Sequence, residues 1–232
     1  LPSAAFFRLL KFPLPLLSDD NEITMQQNNG LRSLLKALDL DEACEQLLEI
    51  TETSKIEQLT DVQQVYELIS HIGQLFDVSA KAEEIRESLA ERINIIIHKL
   101  KFIAEDQRPR VALLRNGNEL VRDNYLYTLV KTAGGRIYEP NTADNEASAD
   151  LLIFLAEGMY QLLGELPVIV DQPIWKESDA IKKNKVFLIE SNNHLQGNLL
   201  QIADDIELLA EIIYPQYFVY GENGESWMKF EL

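Results

Sequence analysis

Three short apolar runs punctuate the second half of the chain: Val111–Leu114 (VALL), Leu151–Leu155 (LLIFL) and Lys185–Glu190 (KVFLIE). Each is bounded by polar residues and lacks internal polar alternation, the pattern of a strand buried on both faces of a parallel sheet. Helical segments separate them. One runs from about Asn118 to Thr132 and stops at Gly134-Gly135, where a left-handed C-cap is wanted. A short one follows Glu157-Gly158 through Leu163. A closing helix spans Ile202 to Ile213, with Ile206, Leu209, Ala210 and Ile213 apolar, and ends at Tyr214-Pro215. Such strand–helix alternation predicts an α/β lobe with a mainly parallel sheet flanked by helices.

Upstream the period changes. Val62, Val65, Ile69, Ile72 and Leu75 recur at three- and four-residue steps behind Thr60 or Asp61 as N-cap. Phe76-Asp77-Val78 interrupts the pattern, and Ser79 caps a longer run striped by Ala82, Ile85, Leu89, Ile93, Ile96 and Leu100. A helix from Ser79 to Ile103 would span about 37 Å with no internal Gly or Pro, a rigid strut able to join two lobes; an ordinary core helix is the alternative. The first segment is irregular, with an extended piece at Phe12–Leu17, a helix over about Leu31–Leu38 and a strand near Leu47–Thr51. The chain thus divides into a short, atypical N-terminal lobe (1–58), a helical backbone (59–106) and a C-terminal α/β lobe (107–232). The expected fold is α/β with two lobes joined by a long rigid helix and the N-lobe reduced. An aromatic tail, Tyr217–Gly221 and Trp227–Phe230, is expected to fold back onto one lobe.

Charge and motif checks remove several function classes. With 21 Lys+Arg against 38 Asp+Glu the net charge is −17, which argues against nucleic acid and against anionic lipid surfaces. Cys44 is the sole cysteine, so neither an internal disulfide nor a multi-Cys zinc site is available; its acidic surroundings (DEACEQ) make it a poor nucleophile. There is no GxGxxG after a strand, no GxxxxGK[ST], no GxSxG and no HExxH. His71, His98 and His194 are the only histidines, too few for a site that ligates a bare metal ion by several imidazoles. Leu9–Leu17 is broken by Pro13 and Pro15, and Ile93–Ile103 by His98, Lys99 and Lys101, so neither reads as a membrane span.

In open parallel sheets ligands lie beyond the carboxyl ends of the strands. That rule selects Arg115-Asn116-Gly117-Asn118 with Arg122, Asn124 and Tyr125, then Glu157-Gly158-Met159-Tyr160, then Ser191-Asn192-Asn193-His194. Together they offer amide, aromatic and guanidinium groups, a set suited to the amides and carboxylates of a polar ligand. Tyr125, Tyr160 and Trp175 are candidates for an aromatic wall. The bland reading of each is a solvated loop residue or a half-buried core aromatic. Glu157 and Glu190 near strand ends leave an acid/base pair, and hence an α/β enzyme, as an alternative.

Several stretches resemble the helical-backbone substrate-binding proteins of ABC importers, the receptors for cobalamin, ferric siderophores or haem. They are YELISHIGQLFDVSAKAEEIRESLAERI, RPRVALL, YLYTLVKTAGG, ADLLIFLAEG, the segment from Trp175 through AIKKNKVFLIE, and ADDIELLAEIIYP. The series covers about Val62 to Pro215. Leu1-Pro2-Ser3-Ala4 resembles the family's opening turn, but the Glu that in the family docks the receptor to its transporter has no counterpart beside Phe6.

The resemblance implies a binding protein and not an enzyme, a pre-chelated metal complex as ligand, no other cofactor or directly bound metal, and an ABC transporter permease as partner. It implies a periplasmic or cell-envelope location. The ligand-contacting residues expected are Arg115, Asn116, Asn118, Tyr125, Glu157, Tyr160, Trp175, Asn193 and His194. A non-transport interaction protein derived from the receptor fold, dimerising through the face of Leu31, Leu34 and Leu38, is the competing reading.

Overall fold

The computed structural model describes residues 32–40, 61–115, 117–140 and 148–232. The expected pieces at Phe12–Leu17 and Leu47–Thr51, most of the N-terminal lobe, and Cys44 lie outside these residues. Residues 32–37 are helical, as the Leu34, Leu35 and Leu38 spacing predicts.

Two antiparallel helices follow. Helix α1 (Val62–Leu75) begins at Asp61, whose carboxylate accepts from Gln64 N at 2.9 Å. Helix α2 (Ser79–Leu100) has Val78 at the N-cap position, so Ser79 is its first residue and not its cap. The turn between them is tight: Val78 N donates to Gly73 O at 2.8 Å. At 22 residues α2 is about 33 Å long. It is not free-standing. Leu89, Ile93, Ile96 and Leu100 share one hydrophobic cluster with α1, with Leu34, Leu35 and Leu38, and with one face of the sheet.

The sheet is built from β1 (Arg110–Arg115), β2 (Glu119–Leu120), β3 (Arg136–Ile137), β4 (Leu151–Ala156), β5 (Val186–Glu190) and β6 (Trp227–Phe230). Its order is β2-β1-β4-β5-β6, with β3 beside the first half of β1. Strands β1, β4 and β5 are parallel neighbours, and β2 and β6 are antiparallel. All three predicted strands are therefore present and adjacent. Their side chains divide strictly by pleat. Val111, Leu113, Leu151, Ile153, Leu155, Phe187 and Ile189 face the helices α1, α2, α3 (Asn124–Thr132) and α7 (Ile202–Ile213). Ala112, Leu114, Leu152, Phe154, Val186 and Leu188 face α4 (Met159–Val170), α5 (Pro173–Lys176) and α6 (Asp179–Lys182). Burial on both faces is what makes these strands continuous apolar runs.

Three boundaries differ from expectation. The helix after β1 starts at Asn124, not Asn118: Gly117 turns at φ +83°, Glu119–Leu120 pair back on β1, and Asp123 caps the helix by accepting from Leu126 N at 3.0 Å. Helix α4 runs to Val170, well past Leu163; Pro167 is exposed, so the turn loses one backbone bond without breaking. Helix α2 ends at Leu100 and not Ile103. Gly134, at φ +88°, stops α3 as predicted, and Tyr214 Oη donates to its carbonyl at 2.9 Å. The aromatic tail returns to the C-terminal lobe as edge strand β6. Leu34 and Leu38, 0% and 1% exposed, lie inside the chain's own core, so two of the three residues expected on a dimerising face are already covered; Leu31 lies outside the described residues.

Candidate functional site

Because β1, β4 and β5 are parallel and adjacent, their carboxyl ends share one edge. The edge gathers Arg115, Gly117 and Asn118 after β1, Glu157 to Tyr160 after β4, and Ser191 to His194 after β5. Asn116 lies outside the described residues. Two loops are tied directly: Asn192 Nδ2 donates to Glu157 O at 2.9 Å and to Glu190 Oε1 at 3.0 Å, while Ser191 N donates to Ala156 O at 2.8 Å. This fixes the floor of the edge with backbone and amide groups. Glu190 thus meets an amide on the edge, and not the Glu157 carboxyl with which an acid/base pair was considered.

The predicted residues separate into those the edge presents and those the fold consumes. Tyr160, at the start of α4, is 92% exposed. Glu157, Asn193 and Arg122 are exposed, and Arg115 is half-buried. By contrast, Trp175 is 1% exposed and packs edge-on against Tyr138, with ring centroids 5.9 Å apart. Its Nε1 donates to Asn118 Oδ1 at 2.5 Å, and Asn118 Nδ2 donates to Gln172 Oε1 at 2.6 Å. Asn118 and Trp175 therefore bind each other and lock the turn after β1 onto the segment leading into α5. Tyr125 is 5% exposed on the inner face of α3. The aromatic wall of Tyr125, Tyr160 and Trp175 is not formed, because two of its three rings are core.

His194 is half-buried and turned inward. Its Nδ1 lies 3.2 Å from Asp205 Oδ1, which also accepts from Leu195 N at 3.1 Å. Leu195 adopts φ +62° to allow this. The Asp205 partner raises the His194 pKa, while burial raises that of Asp205. Asp205 Oδ2 and Tyr125 Oη are both buried without a hydrogen-bond partner among the described residues; burial, and then the Asp205 charge, push the Tyr125 phenol well above its usual range. Asp205 was missed in the sequence, where its signal is an acid beside Ile206 on the apolar face of α7.

His71 and His98 are exposed on α1 and α2. Among the described residues there is no cluster of three or more His, Cys, Asp or Glu able to hold a metal ion, and no helix long and apolar enough to cross a membrane.

No family profile and no curated protein sequence matches the chain. Solved structures do. An ABC transporter substrate-binding protein from Listeria monocytogenes EGD-e superposes with a TM-score of 0.62 at 18% identity, over 80% of this chain and 96% of that one. Staphylococcus aureus IsdE complexed with heme gives a TM-score of 0.57 at 18% identity over the same shares, 80% and 96%. The periplasmic heme-binding protein BhuT, in complex with two hemes, gives 0.53 at 16% identity over 68% of this chain and 64% of that one. A helical backbone packed on an α/β lobe, with β1, β4 and β5 opening on one edge, is thus the fold that the chain shares with these solved substrate-binding proteins.

Proposed function

We propose that the chain is the extracytoplasmic receptor of an ABC importer and captures a metal chelate (haem, a ferric siderophore or cobalamin) at the carboxyl edge of β1, β4 and β5. The observation that carries this reading is the fold likeness to substrate-binding proteins, two of them named for heme, combined with an exposed Tyr160 on that edge. A chelate arrives with its metal already ligated, so the receptor supplies ring faces, amides and a few charges. Tyr160 offers a ring face or a hard phenol oxygen to a ferric centre. Arg115 offers a guanidinium to a ligand carboxylate, and Asn193 an amide. Glu157 is exposed beside Tyr160 on the same edge, while His194 is turned inward to Asp205. Binding and handover to a permease, not bond breaking, is the chemistry proposed.

Titration of the purified chain with haem, cobalamin and ferric siderophores, read by tryptophan fluorescence, tests this. Saturable quenching by one of them at micromolar or lower concentration (a free energy of about −8 kcal/mol or better), weakened in Tyr160→Ala, is the expected result. No saturable response to any of them overturns the proposal.

A further inference from the structure

A second concavity lies away from the carboxyl edge, where α1 begins and α2 and α3 end. It is a groove of about 520 Å³, within the range of small-ligand sites. Its cations are Lys101, Arg108 and Lys131, and its single carboxylate is Asp61, which is engaged as the cap of α1. None of the three cations has a carboxylate within ion-pair distance among the described residues. Lys81, Arg86, Arg92, Arg110, Lys176, Lys182, Lys183 and Lys229 each find one elsewhere on the molecule, whereas this groove gathers three cations that do not.

Arg108 is distinguished from the other two by a buried side-chain nitrogen. Its backbone is fixed by Arg136 Nε, which donates to Arg108 O at 2.9 Å, yet its own Nε is buried and has no acceptor among the described residues. The guanidinium charge is thus left without a local partner, and an oxyanion in the groove would compensate it. The neighbouring cleft on its other side holds Arg110, Arg136, Lys183 and Lys185 beside Asp106 and Asp150; Arg110 is neutralised by Asp150 and Lys183 by Asp179, which leaves Arg136 and Lys185 against Asp106. Cations therefore outnumber carboxylates on both sides of Arg108, against the overall charge of −17. Lys101 and Lys131 close the ends of α2 and α3, so helix carbonyls balance part of their charge. Arg108 follows a 3-10 turn, Glu105–Gln107, and has no such helix end to serve.

We infer that this groove binds a phosphate group as its dianion. Three cations against one capping carboxylate leave two positive charges, the complement of an inorganic phosphate or a phosphomonoester and not of a single carboxylate. Arg108 supplies the planar fork, and Lys101 and Lys131 act as point charges. Asn94 lines the same groove with a neutral donor.

Isothermal titration calorimetry of the full chain with inorganic phosphate near neutral pH and low salt tests this, with acetate as the monoanion. Saturable phosphate binding is expected, weakened about tenfold in Arg108→Gln and severalfold in Lys131→Gln, and unchanged in Tyr160→Ala at the chelate edge. The absence of saturable binding to the wild-type chain overturns the inference. So does binding that Arg108→Gln and Lys131→Gln leave intact, or acetate binding as tightly as phosphate. Should Arg108→Gln fail to fold by circular dichroism, Lys131→Gln and Lys101→Gln, both at exposed side chains, decide the question.

Discussion

Glu211 Oε2 accepts a hydrogen bond from Trp227 Nε1 at 3.2 Å, joining the last turn of α7 to the edge strand β6. The same carboxylate accepts from the backbone N–H groups of Tyr220 at 3.0 Å, Gly221 at 3.1 Å and Glu222 at 3.3 Å. One buried acid, 4% exposed, therefore clamps the entire turn that sends the tail back onto the lobe. Glu211→Gln replaces one acceptor oxygen by a donor and leaves two of the four N–H groups facing it. The expected loss is about 2 kcal/mol of unfolding free energy, visible in urea titration with Trp227 fluorescence shifting to the red before the far-ultraviolet transition. Coincident transitions at the wild-type midpoint would show that the clamp contributes nothing.

The His194–Asp205 pair makes stability pH-dependent. Its Asp205 partner raises the His194 pKa above its ordinary 6.5, so the folded chain holds that proton more tightly than the unfolded chain does. The associated stabilisation is complete below the unfolded value and is lost as pH rises through the folded one. Asp205 is raised by burial and shifts in the same sense in the acid range. The neighbouring Glu222 and Asp204 also favour the imidazolium. Chemical denaturation is expected to give lower stability at about pH 8.5 than at about pH 6. In His194→Gln that difference should shrink; an unchanged pH profile would remove the pair from the account.

Gly73 permits the closest approach of α1 to α2. A Cβ built there overlaps the methyl of Ala82 and crowds the backbone of Ser79. Gly73→Ala should therefore destabilise by about 1–3 kcal/mol through overpacking, although alanine is the better helix former. A thermal scan showing a higher melting temperature in the variant would mean that the hairpin relaxes freely.

Legibility followed burial. The runs VALL, LLIFL and KVFLIE announced their strands because both faces of β1, β4 and β5 are covered, and Gly134 announced the end of α3 by its left-handed φ. Strand β2 carried no such signal. The pairing of Glu119 and Leu120 with β1 depends on a turn at Gly117 within a stretch of helix-compatible residues. The destination of WMKF is set by an open edge of β5 and by Glu211, neither of which lies near it in sequence. At the site, the parallel-sheet rule located the three loops, but the state of each side chain was decided by partners far along the chain. Asn118 meets Trp175 across 57 positions, and His194 turns inward because Asp205 occupies the buried face of α7.

That distinction between presented and consumed residues yields the last prediction. Asn118 and Tyr160 stand on the same edge, yet one is bonded to a buried indole and the other is 92% exposed. Asn118→Ala strips the acceptor from Trp175 Nε1 and frees Gln172, so it should cost about 1–3 kcal/mol of stability. Tyr160→Ala removes an exposed ring and should change stability by less than about 0.5 kcal/mol. For the proposed chelate binding the order should reverse. Tyr160→Ala should weaken the affinity about tenfold or more through the lost ring and phenol, while Asn118→Ala, assayed below its melting transition, should act only through the position of its loop. Measuring melting temperature and chelate affinity for both variants separates the roles. A Tyr160→Ala variant that binds normally while Asn118→Ala binds poorly with unchanged stability would mean that the ligand opens the Asn118–Trp175 contact and uses Asn118 directly.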